Sequence, residues 1–265
     1  MARIMVTGCS SGIGRATCIL LTERGHEVVA TARSLAPLAD LPVADRIALD
    51  VTSDESVAAA VEAAGAIDGL VNNAGLAMWG AVELTQTNDM KRLFDTNVFG
   101  VIRLCRAVLP GMRTRGHGRI VQISSGAARR PQPLVGLYCA SKAALESLSM
   151  ALRIEARDFG VDVAIVGMGA VDSNISQNRI VSDATGTPYA PPMRALLDRM
   201  QSVRGKAVSA DEAASVVVSV IESENPPFRT YVGEGFAEEL EAVNALSTDE
   251  YEERFHAIYA SSPAR

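Results

Sequence analysis

Short apolar runs alternate with longer amphipathic segments along this chain of 265 residues. That alternation is typical of successive β-α-β units. The predicted strands cover 3–7, 27–31, 46–49, 69–72, 119–124, 162–166 and 229–232, and the predicted helices cover 12–24, 54–64, 88–114, 137–159 and 210–223. Strand residues such as Val163 to Val166 are all apolar, which indicates burial on both faces. The sequence therefore predicts an α/β fold with a doubly wound, parallel, seven-stranded sheet between two layers of helices.

Two segments do not follow this alternation. Residues 172–206 have little strand character, and a long irregular insertion in a compact domain is usually an active-site lid or disordered. We expect a lid there, with one short helix whose apolar residues share a face: Met193, Leu196, Leu197 and Met200. Residues 236–265 are expected to form a helical tail, with one helix over 236–259 packing on the sheet edge or on a neighbouring subunit. The length of the chain fits a single domain over residues 1–265.

The composition excludes several classes of partner. The net charge is −6 and no basic run is present, which argues against binding to nucleic acid or to a membrane surface. No apolar run approaches the roughly 18 residues needed to span a bilayer, and the first residues lack a signal-peptide pattern. The four cysteines match no metal-binding spacing, so we expect no metal and a cytoplasmic protein with free thiols.

A glycine-rich turn follows the first predicted strand, where residues 7–14 read Thr-Gly-Cys-Ser-Ser-Gly-Ile-Gly. Gly8, Gly12 and Gly14 would let the backbone approach a pyrophosphate, and the next helix would offer free N–H groups and its positive dipole end. Such a turn also occurs for steric reasons alone. Its position directly after a buried strand favours a dinucleotide site.

The end of the second predicted strand indicates which dinucleotide is used. An NAD-preferring site normally has Asp or Glu about 20 residues past the glycines, but this chain has Ala32 and Arg33 there. A guanidinium can bind a phosphate bidentately. We therefore predict NADP(H), with NAD(H) as the weaker alternative; Arg33 could also be a solvated loop residue.

The segment 138–142 reads Tyr-Cys-Ala-Ser-Lys and lies thirteen residues after Ser125. Positions i and i+4 share a helix face, so Tyr138 and Lys142 would point into the same space. An ammonium beside a phenol lowers the pKa of the phenol. The pair predicts a proton donor that works near neutral pH.

Together these motifs resemble the short-chain dehydrogenase/reductase family, whose fold is Rossmann-like. The resemblance covers residues 3 to about 173 and includes Asn72-Asn73-Ala74-Gly75 and Asn97, in family order and at family spacing. The glycine turn and the Ala-Thr-Ala-Arg strand end resemble the NADP(H)-using members that are like hydroxysteroid and retinol dehydrogenases.

The resemblance implies roles for individual residues. Ser125 would bind the substrate oxygen, Tyr138 would act as general acid and base, Lys142 would assist it and bind the nicotinamide ribose, and Asn97 would hold a water for proton resupply. The implied cofactor-binding residues are Gly8, Ser10, Ser11, Gly12, Ile13, Gly14, Arg33, Asp50, Val51, Asn73, Ala74, Gly75, Tyr138, Lys142, Gly169, Val171 and Ser173. Ser124 and Ser141 are interpreted as bystanders.

The sequence departs from the family pattern after the sixth predicted strand, where the family has Pro-Gly and then a threonine. Met168 stands in place of the proline, and Ser173 keeps a hydroxyl where the threonine would bind the nicotinamide carboxamide. The expected substrate-pocket residues are apolar: Met78, Trp79, Leu134, Val135 and Met168.

The sequence thus predicts an NADP(H)-dependent oxidoreductase that interconverts a ketone and a secondary alcohol on an apolar small molecule. The alternatives are a relative that performs imine reduction or a redox-neutral step, and a redox-inactive nucleotide-binding scaffold. Helices 88–114 and 137–159 are apolar on more than one face, and the resemblance implies a homodimer or homotetramer through them.

Overall fold

The computed structural model describes residues 1–172, 179–202 and 207–260. The strands are β1 (Arg3–Val6), β2 (Glu27–Ala32), β3 (Asp45–Ala48), β4 (Gly69–Asn72), β5 (Met78–Trp79), β6 (Gly118–Ser125), β7 (Val161–Met168), β8 (Ile180–Val181) and β9 (Arg229–Val232). Seven of them form a parallel sheet in the order β3-β2-β1-β4-β6-β7-β9. The chain leaves β1 first toward β3 and then, from β4, toward β9, which is the doubly wound order. The predicted fold class is confirmed.

Seven helices lie between these strands along the described chain, and two follow the last strand. They are α1 (Gly12–Glu23), α2 (Asp54–Ala64), α3 (Thr87–Phe94), α4 (Gly100–Arg115), α5 (Gly136–Ala156), α6 (Ala190–Ser202), α7 (Ala210–Glu222), α8 (Phe236–Asn244) and α9 (Thr248–Ala260). A π-helical turn, Asp95–Phe99, joins α3 to α4. The predicted helix over 88–114 is therefore interrupted.

Two apolar layers cover the two faces of the sheet, because side chains alternate along each strand. Ile4 and Val6 of β1 pack in the layer that contains residues of α1 and α7. Met5, between them, packs in the layer that contains residues of α2, α4 and α5. All three side chains are fully buried. This two-sided burial explains the continuous apolar runs in the sequence.

The C-terminal tail differs from the predicted single helix over 236–259, because α8 ends at Asn244 and α9 begins at Thr248. Ser247 caps α9: its hydroxyl accepts a hydrogen bond from Glu250 N at 3.3 Å, and Glu250 Oε2 accepts one from Ser247 N at 2.8 Å. This reciprocal pair is a capping box. The Ser-x-x-Glu signal was already present in the sequence.

The segment 172–206 contains a strand that the sequence pattern did not indicate. Strand β8 pairs in parallel with β5, Ile180 opposite Met78 and Val181 opposite Trp79. The expected short helix is present as α6, and its Met193 and Leu196 are buried. Residues 173–178 and 203–206 of this segment lie outside the described part of the chain.

Candidate active site

A cleft of about 450 Å³ lies at the carboxyl ends of the central strands. It brings together the turn after β1 and the catalytic candidates on β6 and α5, although β4 separates β1 from β6 in the sheet. The predicted residues that line it are Gly8, Ser10, Ser11, Gly12, Ile13, Arg33, Asp50, Val51, Asn73, Ala74, Gly75, Ser125, Tyr138, Lys142, Met168, Gly169 and Val171. Gly14 and Asn97 are buried and do not line the cleft, and Ser173 lies outside the described residues.

The glycine turn has a backbone that only glycine accommodates. Gly8 and Gly12 have φ angles of +70° and +58°, which other residues rarely adopt. A Cβ on Gly14 would lie 2.6 Å from Gly8 O and would also overlap Asn73 Nδ2. Asn73 Nδ2 itself donates to Thr7 O at 2.8 Å. The turn after β4 thus holds the turn after β1 in place.

The N-terminus of α1 is open toward the cleft. Its N-cap residue, Ser11, makes no side-chain capping hydrogen bond, and its first turn has no acidic residue. The N-terminus of helix α2, in contrast, is capped by the side chain of Ser53, and Asp54 and Glu55 occupy its first turn. Unpaired N–H groups and a positive dipole end form an anion site. The residues of this turn fit a dinucleotide pyrophosphate.

The cleft continues past the ends of β2 and β3, where Arg33 is exposed and Asp50 is half-buried. Asp50 Oδ1 accepts hydrogen bonds from Thr52 N at 2.9 Å and from Thr52 Oγ1 at 2.7 Å. These bonds hold the pKa of Asp50 below its usual value, and the charges of Arg33 and Arg103 act in the same direction. Asp50 is the only carboxylate among the described residues that line the cleft.

Ser125 ends β6, and Tyr138 and Lys142 lie one turn apart on α5. All three line the same cleft. Lys142 is 5% exposed, and its Nζ donates a hydrogen bond to Ile123 O at 2.9 Å. Burial lowers the pKa of Lys142 to about 8, while the charge of Glu146 acts against this shift.

The pKa of Tyr138 differs in direction from the sequence-based expectation. Burial raises it to about 12, the hydrogen bond with Ser125 opposes that shift, and Cys139 adds to it slightly. Lys142 was expected to lower this pKa, and that expectation is wrong for this structure. The reason is that desolvation disfavours the phenolate, while Lys142 directs its hydrogen bond to the backbone of β6.

Asn97 lies inside the π-helical turn and is 1% exposed. Its Oδ1 accepts from Leu76 N at 2.8 Å, and its Nδ2 donates to Leu76 O at 2.9 Å and to Ser141 Oγ at 3.1 Å. A Cβ on Gly75 would be 3.4 Å from Asn97 Oδ1 and 3.7 Å from Lys142 Nζ. These two atoms therefore border the same small space. A π-turn inside a helix frequently marks a functional site.

Comparison with known families agrees with this geometry. A sequence model described as short chain dehydrogenase matches residues 2–183, which is more than half of the chain. The chain is a short-chain dehydrogenase. It is accordingly an oxidoreductase of a family that uses NAD(P)(H).

Three relatives illustrate this similarity. A 3-ketodihydrosphingosine reductase from Bacteroides thetaiotaomicron is 36% identical, with 87% of each chain covered. Human retinol dehydrogenase 8 is 33% identical, with 85% of this chain and 79% of the relative covered. A short-chain dehydrogenase from Streptomyces avermitilis has 32% identity and a TM-score of 0.83, with 99% of this chain and 98% of that chain covered.

Within this short-chain dehydrogenase, the predicted substrate residues do not all face the cleft. Met168 lines it, whereas Met78 is 2% exposed and packs in an apolar cluster beside Tyr138. Trp79 and Val135 pack around Leu134 and helix α6. Leu134 has a φ angle of +66°, and its carbonyl accepts a hydrogen bond from Gly80 N at 2.6 Å.

Leu134 lines a second, wider cavity of about 1080 Å³. Aromatic side chains form much of its wall: Tyr189, Tyr251, Phe255 and Tyr259. It lies between the loop before α5, the start of α6 and the apolar face of α9. Sequence patterns gave no sign of this cavity, because residues far apart in the chain form it.

The sequence interpretation also missed the roles of buried polar residues on α5 and beside it. Ser141 is fully buried and accepts from Asn97, so it has a structural task rather than none. Ser124 Oγ donates to Glu146 Oε1 at 2.8 Å, and Arg229 Nε donates to Glu146 Oε2 at 2.8 Å. The signal for Glu146 was its position eight residues after Tyr138, on the same helix face.

No helix in the described ranges is both long enough and apolar enough to cross a bilayer. The same ranges contain no cluster of three or more His, Cys, Asp or Glu that could hold a metal ion.

Proposed function

We propose that this chain is an NADP(H)-dependent oxidoreductase that interconverts a ketone and a secondary alcohol on a largely apolar substrate. The observation that carries the proposal is that Ser125, Tyr138 and Lys142 line the same cleft as the glycine turn and Arg33. The names of two relatives support this reaction class, since one is a reductase of a 3-keto compound and the other a dehydrogenase of retinol, an alcohol.

The cofactor residues divide by the groups they would hold. The N–H groups at the start of α1 and the glycine turn bind the pyrophosphate, and Arg33 with Ser11 binds the 2′-phosphate. Asp50 and Val51 bind the adenine. Ser173, Gly169 and Val171 bind the carboxamide end. When bound, the nicotinamide supplies or accepts the hydride.

The remaining residues handle the substrate oxygen and its proton. Ser125 donates a hydrogen bond to the carbonyl oxygen, and Tyr138 transfers its proton to that oxygen during reduction. A pKa of about 12 keeps Tyr138 protonated at neutral pH, as a donor requires. Asn97 Oδ1 holds a water that returns protons toward Lys142 across the space beside Gly75.

A ketone panel with NADPH tests this proposal, comparing the wild-type protein with Tyr138→Phe. We expect Tyr138→Phe to lower kcat by about 10²- to 10⁴-fold, because the general acid is lost. Tyr231→Phe is the matched control: Tyr231 Oη is buried without a hydrogen-bond partner among the described residues, so its loss removes no bond. Turnover that is unchanged in Tyr138→Phe would contradict the proposal.

NADPH binding without turnover across the whole panel is the other negative outcome. It would instead favour imine reduction, a redox-neutral step or a redox-inactive scaffold. Fold alone does not distinguish these functions.

The substrate class rests on apolar walls. Met168 gives the cleft an apolar edge, and Leu134 and Val135, which precede Tyr138 in the chain, belong to the apolar cluster beside α6. The lid proposed for 172–206, within a single domain, would include α6, whose buried Met193 and Leu196 pack in one apolar cluster with Leu134. A charged metabolite gains little from such walls.

The assembly we propose is a homodimer or homotetramer through α4 and α5. Large apolar side chains on and next to these helices are exposed, Phe99 by 51%, Leu148 by 44%, Ile154 by 69% and Phe159 by 48%. Exposed apolar surface of this kind marks an interaction site when it is contiguous. A monomeric mass by light scattering at micromolar concentration would contradict the assembly.

A cytoplasmic location belongs to the same proposal. All four cysteines are free and buried, including Cys9 and Cys18, whose sulfur atoms lie 3.3 Å apart. Reduced thiols this close suit a reducing compartment.

A further inference from the structure

A buried carboxylate lies on α5, the helix that carries Tyr138 and Lys142, and outside the path of the substrate proton. Glu146 is 4% exposed, and both of its oxygens are held by partners from distant strands. Ser124 of β6 donates to Oε1 and Arg229 of β9 donates to Oε2, each at 2.8 Å. A carboxylate is rarely buried unless it is paired, because desolvation of its charge is costly.

Tyr138, Lys142 and Glu146 occupy positions i, i+4 and i+8 of α5, so they follow one another along one helix face. Along α5, Lys142 lies between Tyr138, which lines the cleft, and Glu146, which does not. Glu146 is the charged group that acts to keep Lys142 protonated against the effect of burial.

Apart from Glu146, no anion among the described residues acts on the titration of Lys142. On α5 its titratable neighbours are Tyr138, Glu146 and Cys139, whose thiol burial keeps neutral by raising its pKa, and β9 contributes the cation of Arg229 behind Glu146. Strand β6 presents the uncharged carbonyl of Ile123, and Gly75 and the Asn97 amide are uncharged as well. The charge state of Lys142 therefore depends on Glu146 more than on any other neighbour.

We propose that Glu146 is a positioning residue that keeps the ammonium of Lys142 charged, held in place for this task by Ser124 and Arg229. This inference rests on the proposed function, in which protons return toward Lys142 after Tyr138 has given up its own. A purely structural Glu146 would join α5 to β6 and β9 without affecting the titration of Lys142.

Glu146→Gln separates the two roles, because glutamine can still accept from Arg229 and bond to Ser124 but carries no charge. The profile of kcat/KM against pH reports groups of the free enzyme. We expect its high-pH limb to move down by about one pH unit, because Lys142, whose pKa burial lowers to about 8, would lose its charge at lower pH without Glu146. Activity would then fall roughly eightfold at about pH 8.5 and change little at about pH 6.

Two further variants test whether a loss of activity in Glu146→Gln comes from misfolding instead of from the lost charge. Glu155→Gln removes an exposed carboxylate from the same helix and is expected to leave the limb in place. Arg229→Gln removes the cation that offsets Glu146 and is expected to move the limb upward, opposite to Glu146→Gln. A loss of activity that is equal at all pH values, or shifts in the same direction, would overturn the inference.

A readout without substrate or cofactor keeps this test independent of the proposed function. Lys142 has a pKa of about 8 when folded and an ordinary value of 10.5 when unfolded. Its contribution to stability is therefore present above pH 10.5 and is lost as pH falls through 8. In urea unfolding, Glu146→Gln should extend that pH-dependent loss to lower pH, whereas Glu155→Gln should not.

The two failures are then distinguishable. If the wild-type protein reduces no ketone but its unfolding shows the expected difference, the proposed function fails and the charge link stands. If turnover is normal and both pH dependences are unchanged in Glu146→Gln, the inference fails alone.

Discussion

Asn97 and Ser141 are joined by a hydrogen bond of 3.1 Å from Asn97 Nδ2 to Ser141 Oγ. Ser141 Oγ in turn donates to the carbonyl oxygen of Tyr138 at 2.8 Å. The π-helical turn is thereby tied to the helical turn that carries Tyr138, the proposed general acid. Both side chains are buried, so neither can replace a lost bond with bulk water.

Ser141→Ala tests this link. Asn97 would keep its two bonds to Leu76 but lose one partner, so we expect a loss of about 1 kcal/mol in the free energy of unfolding. The turnover number should fall as Tyr138 loses its support. Ser147→Ala, an exposed serine on the same helix, serves as the control in urea unfolding and ketone reduction. Equal effects of the two variants would show that the link is unimportant.

Gly14→Ala should damage the glycine turn. The new Cβ would overlap Asn73 Nδ2 and lie 2.6 Å from Gly8 O, so we expect a cost of about 1–3 kcal/mol and much weaker NADPH binding. Gly111→Ala is the matched helical control, because only the flexible end of Arg115 approaches its Cβ, at 3.2 Å. That variant should become more stable by about 0.5–1 kcal/mol. Fluorescence titration with NADPH and thermal unfolding measure the two effects.

Arg33→Ala should change cofactor preference. A charge-assisted hydrogen bond contributes about 1.5–3 kcal/mol, which corresponds to a loss of about 10- to 150-fold in kcat/KM with NADPH. The value with NADH should stay nearly constant, since NADH has no 2′-phosphate. Arg24→Ala, on the exposed end of α1, controls for the loss of positive charge. An equal loss of kcat/KM with NADPH and with NADH would mean that Arg33 does not bind the 2′-phosphate.

A titration of Tyr138 distinguishes the raised pKa that burial in the structure implies from the lowered pKa that the sequence predicted. The difference in phenolate absorbance between wild type and Tyr138→Phe should show a step near pH 12. Because this folded pKa lies above the ordinary value of 10, the stability it contributes is present below pH 10 and is lost as pH rises through 12. A step below pH 10 would instead support the lowered pKa expected from the spacing of Tyr138 and Lys142.

Patterns within short stretches of sequence predicted much of this fold. Each of the seven predicted strands is present in the sheet, within a few residues of its expected ends. The π-helical turn at Asp95–Phe99 was not predicted. The apolar periodicity continues through it, although each backbone hydrogen bond there spans one residue more than in an α-helix. Strand β8 was missed because two residues are too few to show a period.

The sequence by itself determined the order of strands and helices, the glycine turn and the helix face shared by Tyr138 and Lys142. These depend on steric rules and periodicities that act over a few residues. Only the tertiary structure decided the raised pKa of Tyr138, the second cavity beside Leu134 and the pairing of Glu146 with Arg229, which is 83 residues away. Desolvation and ion pairing depend on which distant segments exclude water from a side chain, and no local pattern records that.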